Sequence, residues 1–211
     1  MEKKELELYI HIPFCVRKCN YCDFLSFPAD EDTQRQYVKA LCKEIFYYGA
    51  HCRDYVVSTV YIGGGTPSWL WESDMAEIMD AVHKNFALLP DAEVSVECNP
   101  GTVTAQKFAV YRQSGINRIS LGLQSAQNVE LKMLGRIHTW EQFLKTYELA
   151  RAGGFSNINV DLMSSLPGQH TATYADSLQK VCRLKPEHIS AYSLIIEKGT
   201  PFYCLLYTSP S

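Results

Sequence analysis

His11-Ile-Pro-Phe-Cys15-Val-Arg-Lys-Cys19-Asn-Tyr-Cys22-Asp23-Phe24 places three thiols within eight positions, directly after an apolar run that starts at Leu6. The spacing is Cys-x3-Cys-x2-Cys. A cubane [4Fe–4S] cluster takes one thiolate per iron, usually four in all, and this loop supplies three. One iron would then keep a position without a protein ligand, where a small molecule carrying an amine and a carboxylate can chelate. Zinc is a competing reading, but a structural zinc site pairs two such clips or adds histidines at finger spacing, and no second clip follows. A disulfide framework fits poorly, because eight cysteines spread over 211 residues are too dilute for a stapled secreted scaffold.

With 46% hydrophobic and 20% charged residues, the chain is long and apolar enough to bury a core as one domain. A net charge of -3 gives no electrostatic case for a nucleic-acid groove or a polybasic membrane patch. The start, Met1-Glu-Lys-Lys-Glu-Leu-Glu-Leu, has no signal-peptide apolar region, and no later run approaches the roughly 20 apolar residues of a membrane span. No transmembrane segment is expected, and the expected location is cytoplasmic. Cys42 and Cys182 sit in helical apolar patterns and read as small core residues, and Cys98 is read as packing rather than ligating.

Residues 6–12 read as a strand with Pro13 as its stop, and the cysteine loop follows. From 33 to 49, apolar residues recur at Tyr37, Leu41, Ile45 and Tyr48, a helical period with Gly49 as terminator. A β-branched run at 56–62 ends in Gly63-Gly64-Gly65-Thr66-Pro67-Ser68, where Ser68 is expected to cap a helix reaching Phe86. Residues 93–97 alternate into a third strand closed by Cys98-Asn99-Pro100-Gly101, and 104–114 read as helix. Strands are expected at 118–123, 157–163 and 188–196, with helical stretches up to Leu134, over 139–152 closing on Gly153-Gly154, and over 174–184.

Repeated βα units imply parallel strands with right-handed crossovers, hence an open doubly wound sheet or a barrel. In either, ligands sit at the carboxyl ends of the strands. The unusual residues cluster at those ends: the cysteines after strand one, three glycines after strand two, Glu97 ending strand three, Gln124 after strand four and Asp161 near the end of strand five. The expected fold is therefore α/β, a partial (β/α)6 barrel of the TIM-like kind, with a flavodoxin-like open sheet as the runner-up.

Cys15-x3-Cys19-x-Tyr21-Cys22 resembles the signature of the radical SAM superfamily. Further runs extend the likeness: Tyr9-Ile-His-Ile-Pro-Phe, Gly63-Gly-Gly-Thr-Pro-Ser, Glu97-Cys-Asn-Pro-Gly, Gly115 to Gln124-Ser, Leu134-Gly-Arg136-Ile-His138, Asp161-Leu-Met, Leu166-Pro-Gly-Gln and Pro186 to Tyr192-Ser-Leu. Together these resemble the oxygen-independent coproporphyrinogen III oxidase-like family up to Phe202. The resemblance implies Cys15, Cys19 and Cys22 as ligands of a [4Fe–4S] cluster. It also implies a site for S-adenosylmethionine (SAM) formed by Gly63, Gly64, Gly65, Thr66, Glu97, Gln124, Arg136 and Asp161, with Tyr9 as an aromatic neighbour of the cluster. The chemistry implied is reductive cleavage of SAM, with an electron donor such as flavodoxin or ferredoxin.

Oxidases of that family carry a further cysteine two residues after the third, where this chain has Phe24 after Asp23. The Cys-Asp-Phe ending resembles the haem-chaperone (HemW) branch, which implies haem as a partner in trafficking; porphyrinogen oxidation is the alternative. The resemblance divides the chain into a radical SAM core at 1–202 and a tail at 203–211. Cys204-Leu-Leu-Tyr-Thr-Ser-Pro-Ser211 departs from the family and looks like translated adapter sequence, so the family's C-terminal domain is expected to be absent and the last eight residues unstructured or poorly packed.

Overall fold

The computed structural model describes residues 4–207. Six strands alternate with helices: β1 Lys4–Ile12, α1 Glu31–His51, β2 Tyr55–Gly64, α2 Glu72–Asn85, β3 Leu88–Cys98, α3 Ala105–Gln113, β4 Arg118–Gln124. The chain continues through α4 Asn128–Met133, α5 Trp140–Ala152, β5 Ile158–Ser164, α6 Thr171–Arg183, β6 His188–Ser193 and α7 Pro201–Tyr207. All five strand pairings are parallel, and the strand order is β1-β2-β3-β4-β5-β6. A doubly wound sheet reverses direction at a switch point; this one never reverses, so successive right-handed crossovers place every helix on one face and the sheet curls into a half-barrel.

Alternation along each strand decides what the two faces hold. Ile10 and Ile12, Val60 and Ile62, Val94 and Val96, Ile119, Leu121 and Leu123, and Ile158, Val160 and Leu162 point to the helices and are buried. They meet Val38, Leu41 and Ile45 of α1, Met75, Ile78 and Val82 of α2, Phe108 of α3, Phe143 of α5 and Val181 of α6 in a single apolar cluster. Each such side chain contributes about 1.5–3 kcal/mol on burial. The intervening residues are polar or small, and they face the concave side: Tyr61, Glu97, Ser120, Gly122, Gln124, Asp161 and Tyr192 all line the cavity there.

Helix starts follow their local chemistry. Asp30 accepts a hydrogen bond from the Thr33 N–H at 2.8 Å at the head of α1, and Thr104 and Thr139 accept from Lys107 and Gln142 at the heads of α3 and α5.

Several sequence expectations are corrected. Ser68 caps no helix: it lies in a 3-10 turn, Pro67–Trp69, and α2 starts after Trp71. The buried Ser68 hydroxyl instead accepts the Asn99 N–H at 3.1 Å and pairs with the Thr102 hydroxyl, tying the turn after β2 to the turn after β3. Gly49 does not end α1, which runs to His51; a Cβ there would stand 2.6 Å from Asn85, so the glycine admits the end of α2. Cys182 is exposed and Cys42 only partly buried, whereas Cys98 is buried in the core as expected. β6 stops at Ser193, short of Ile196. Gly63 and Gly64 belong to β2 itself, and Asp161 sits at the middle of β5. Residues 204–207, expected to be unstructured or poorly packed, are helical in α7, but Cys204, Leu205 and Tyr207 are exposed, while Phe202 packs against Leu134, Met163 and Leu166. Residues 208–211 lie outside the described residues.

Candidate cofactor site

The cysteine loop is held at both ends by backbone bonds. The Phe27 N–H donates to Pro13 O at 2.9 Å and the Cys15 N–H to Phe27 O at 3.2 Å, so the loop leaves β1 and returns beside it. Its middle is pinned to the loop after α4: Asn20 N–H donates to Leu134 O at 3.0 Å, Asn20 Nδ2 to Met133 O at 2.8 Å, and Arg17 Nη2 to Gly135 O at 2.8 Å. All three thiols are free of disulfides. Burial pushes the Cys15 thiol up, and the nearby Cys22 and Cys19 add to that, as thiols crowded around one space do.

At the end of β2 the chain must turn close to β1. Gly64 has φ +119°, and a Cβ there would meet the His11 ring at 2.7 Å; a Cβ on Gly65 would meet Phe14 O at 2.6 Å. The turn is locked by Gly65 N–H to Ile12 O at 2.8 Å and Thr66 N–H to Phe14 O at 2.7 Å. Glu97 on β3 accepts from Tyr61 O–H at 2.8 Å and from the Gly64 N–H at 3.1 Å. Burial pushes its carboxyl up despite these donors. Asp161 on β5 accepts from Asn159 Nδ2 at 2.7 Å and, more weakly, from Ser120 Oγ at 3.5 Å, and burial raises it too.

Arg136 joins the cysteine loop to the strands. Its Nη2 donates to Asn99 Oδ1 at 2.7 Å and Gly122 O at 2.6 Å, and its Nη1 lies 3.8 Å from Cys19 Sγ. Gly122 is what lets it approach, since a Cβ there would lie 3.2 Å from Arg136 Nη2. Tyr192 on β6 donates to Gln124 Oε1 at 2.7 Å. Burial holds the phenols of Tyr21, Tyr61 and Tyr192 well above their ordinary value, so each stays protonated as a donor.

These side chains surround one cavity of about 460 Å³, within the ~300–1,000 Å³ of small-ligand sites. Cys15, Cys19, Cys22, Gly64, Gly65, Thr66, Glu97, Gln124, Arg136 and Asp161 all line it. Gly63 and Tyr9 do not: Gly63 lies behind the wall against Tyr61 and Glu97, and Tyr9 is exposed, stacked at 6.2 Å on Tyr61. Sequence reasoning assigned no role to Tyr61, Asn99 or Ser120, which hold or flank the predicted residues. Their signal was their place at inward positions of β2 and β4 and in the turn after β3.

Among the described residues, no three His, Cys, Asp or Glu side chains converge tightly enough for a single metal ion. In a cubane each thiolate binds a different iron, so its sulfurs stand wider apart than the ligands of one ion. Three free thiols around a shared cavity, with an arginine turned toward one of them, fit a cluster better than a mononuclear site.

Fold and site together define the class, and the profile of the radical SAM superfamily matches residues 9–181. The chain belongs to the radical SAM superfamily, whose members imply a [4Fe–4S] cluster and SAM. It is 41% identical to "Heme chaperone HemW" of Escherichia coli (strain K12) over 198 residues, covering 93% of this chain and 52% of that protein. It is 37% identical to "Heme chaperone HemW" of Bacillus subtilis (strain 168), covering 94% and 52%. The solved structure of coproporphyrinogen III oxidase (HemN) from Escherichia coli, described as a radical SAM enzyme, aligns with TM-score 0.84 and 30% identity, covering 92% of this chain and 45% of that one. The chain spans about half the length of the curated relatives it matches. Among the described residues, no helix is long and apolar enough to cross a membrane.

Proposed function

We propose that this chain is the SAM-binding and cluster-binding part of a cytoplasmic haem-handling protein of the HemW type. One observation carries the reading: three free thiols, the Gly64-Gly65-Thr66 turn, and Glu97, Gln124, Arg136 and Asp161 all open on the same cavity at the carboxyl end of a parallel half-barrel. Cys15, Cys19 and Cys22 hold the cluster. With SAM bound, this pair supplies one-electron reductive cleavage of a sulfonium, the electron coming from a flavodoxin or ferredoxin.

The chain's own groups do the positioning. Glu97, oriented by Tyr61 and Gly64, is placed to accept ribose hydroxyls; Arg136, its Nη2 tied to Asn99 and Gly122, has Nη1 to offer a ligand carboxylate; the glycine turn lets the ligand's amine reach backbone carbonyls.

Haem as cargo is supported by the names of the relatives and by Phe24, exposed on the cavity rim where oxidases of the family carry a cysteine. Porphyrinogen oxidation is the second reading, favoured by the match to the HemN structure. Anaerobic reconstitution with iron and sulfide, followed by EPR with and without SAM, tests the site; an unchanged spectrum with SAM would sink it. Haem titration and an assay with coproporphyrinogen III separate the readings. Haem binding without product supports the chaperone, and protoporphyrinogen formation supports the oxidase.

A further inference from the structure

Beside Arg136, and sharing Cys19, Thr66, Asn99 and Arg136 with the main cavity, lies a second and much smaller one of about 20 Å³, large enough for one water where ~10–15 Å³ is the minimum. Its wall includes Cys19, Thr66, Asn99, Thr102, Arg136 and His138. Two of the three buried side-chain atoms without a hydrogen-bond partner among the described residues belong to residues of this wall: Arg136 Nε and His138 Nε2. His138 is only 4% exposed, just before α5 and two residues from Arg136.

The two orphans are complementary. Arg136 Nε–H can only donate. The Leu123 backbone favours a proton on the His138 ring, and with Nε2 left without a partner the ring's proton is assigned to Nδ1, toward the Leu123 carbonyl. That leaves Nε2 as an acceptor. Burial and the Arg136 charge hold the ring far below its ordinary value, at about 3, so it stays neutral. A donor and an acceptor left unpaired in the interior are each destabilising, and a water between them satisfies both.

We infer that His138 is a positioning residue that holds one buried water against Arg136 Nε and thereby orients the guanidinium that faces Cys19 Sγ. The water takes the Arg136 Nε–H and gives a hydrogen to His138 Nε2. Thr66, Asn99 and Thr102 offer it further polar contacts. The other face of the guanidinium is already tied to Asn99 and Gly122, so the water completes its immobilisation. A positive donor held against a cluster thiolate favours the reduced state. This last link rests on the reading of Cys19 as a cluster ligand; the water site does not.

The test uses the full chain as wild type, His138→Gln, His138→Asn and His138→Phe. Gln restores an acceptor near Nε2, Asn restores only the Leu123 contact, and Phe restores neither. A high-resolution crystal structure of the cluster-free wild type is expected to show a water bonded to both Arg136 Nε and His138 Nε2. An empty cavity or a His138 carrying its proton on Nε2 would overturn the proposal. In reconstituted protein, the cluster potential in the Asn and Phe variants is expected to shift negative, in the same direction as in Arg136→Gln, while Gln stays near wild type. An Asn variant matching wild type, or a Phe variant with no shift, would overturn the positioning role. If wild type assembles no cluster, the ligand reading fails while the crystallographic arm still decides the water.

Discussion

Tyr61 on β2 donates its phenolic O–H to Glu97 Oε1 on the neighbouring strand at 2.8 Å, and with the Gly64 N–H it makes up the carboxylate's hydrogen-bond partners. Register brings them together: Tyr61 pairs with Ser95, so Glu97 lies one inward position further along. Tyr61→Phe removes a charge-assisted bond of about 1.5–3 kcal/mol. The chain is expected to fold, and calorimetric titration is expected to give a SAM dissociation constant raised roughly ten-fold. Equal affinities would mean that Glu97 needs no orienting partner.

Burial is the main influence on Glu97 and Asp161, and it raises both carboxyls. The folded state therefore binds these protons more tightly than the unfolded chain does. Their ionisation costs stability, beginning near the ordinary carboxylate value of about 4 and growing as pH rises through the folded one. Asp161→Asn removes one such cost. Between about pH 4 and pH 7, the melting temperature of the ligand-free variant should gain on wild type; parallel curves would contradict this.

Cys98 is buried and pushed up to about 12, first by desolvation, whereas Cys182 is exposed. Iodoacetamide at about pH 8 reacts with thiolates. Peptide mass mapping is expected to find Cys182 modified and Cys98 untouched until denaturant is added. Early labelling of Cys98 would show that β3 opens locally.

Arg136→Lys replaces a fork by a point charge. An ammonium cannot reach Asn99 Oδ1, Gly122 O and Cys19 together, so the variant is expected to lose about 2–4 kcal/mol in denaturant titration, as hydrogen bonds to a charged group predict. A loss under ~0.5 kcal/mol, the scale of a neutral surface change, would make Arg136 structurally idle.

Phe108 is fully buried beneath β-strands and α5. Phe108→Ala is expected to cost about 3–5 kcal/mol while leaving the cavity lining intact. Iron content of the reconstituted variant at low temperature should match wild type; a proportionate loss would tie the site to this part of the core.

Much of this was legible in the sequence, for reasons that particular residues make plain. Ile119-Ser-Leu-Gly-Leu-Gln124 declares both faces of β4 in six letters, and the cysteine spacing alone points to the superfamily that the profile match shows. What was missed depends on neighbours remote in the chain. Gly49 looks like a helix stop until Asn85 is seen against it, and Ser68 looks like a cap until Asn99 claims its hydroxyl. Tyr61 and Ser120 were legible only as inward-facing strand residues, because alternation says which way a strand residue faces, not what the next strand sets beside it. The α7 helix was missed because the departure of residues 204–211 from the family outweighed the local pattern, while Phe202 anchors its start among Leu134, Met163 and Leu166.

The unbroken strand order has a kinetic meaning as well. Each strand pairs with the one made just before it: Lys4 with Tyr55, Ser95 with Arg118, Asn159 with His188. Every closure therefore spans one βα unit, and the sheet can lengthen from its amino-terminal edge as synthesis proceeds, with no strand waiting for a distant partner. The widest of these three closures is β1 to β2, the one that encloses the cysteine loop and α1. Because closure entropy grows with loop length, the closure that draws in the cysteine loop costs the most conformational entropy of the three.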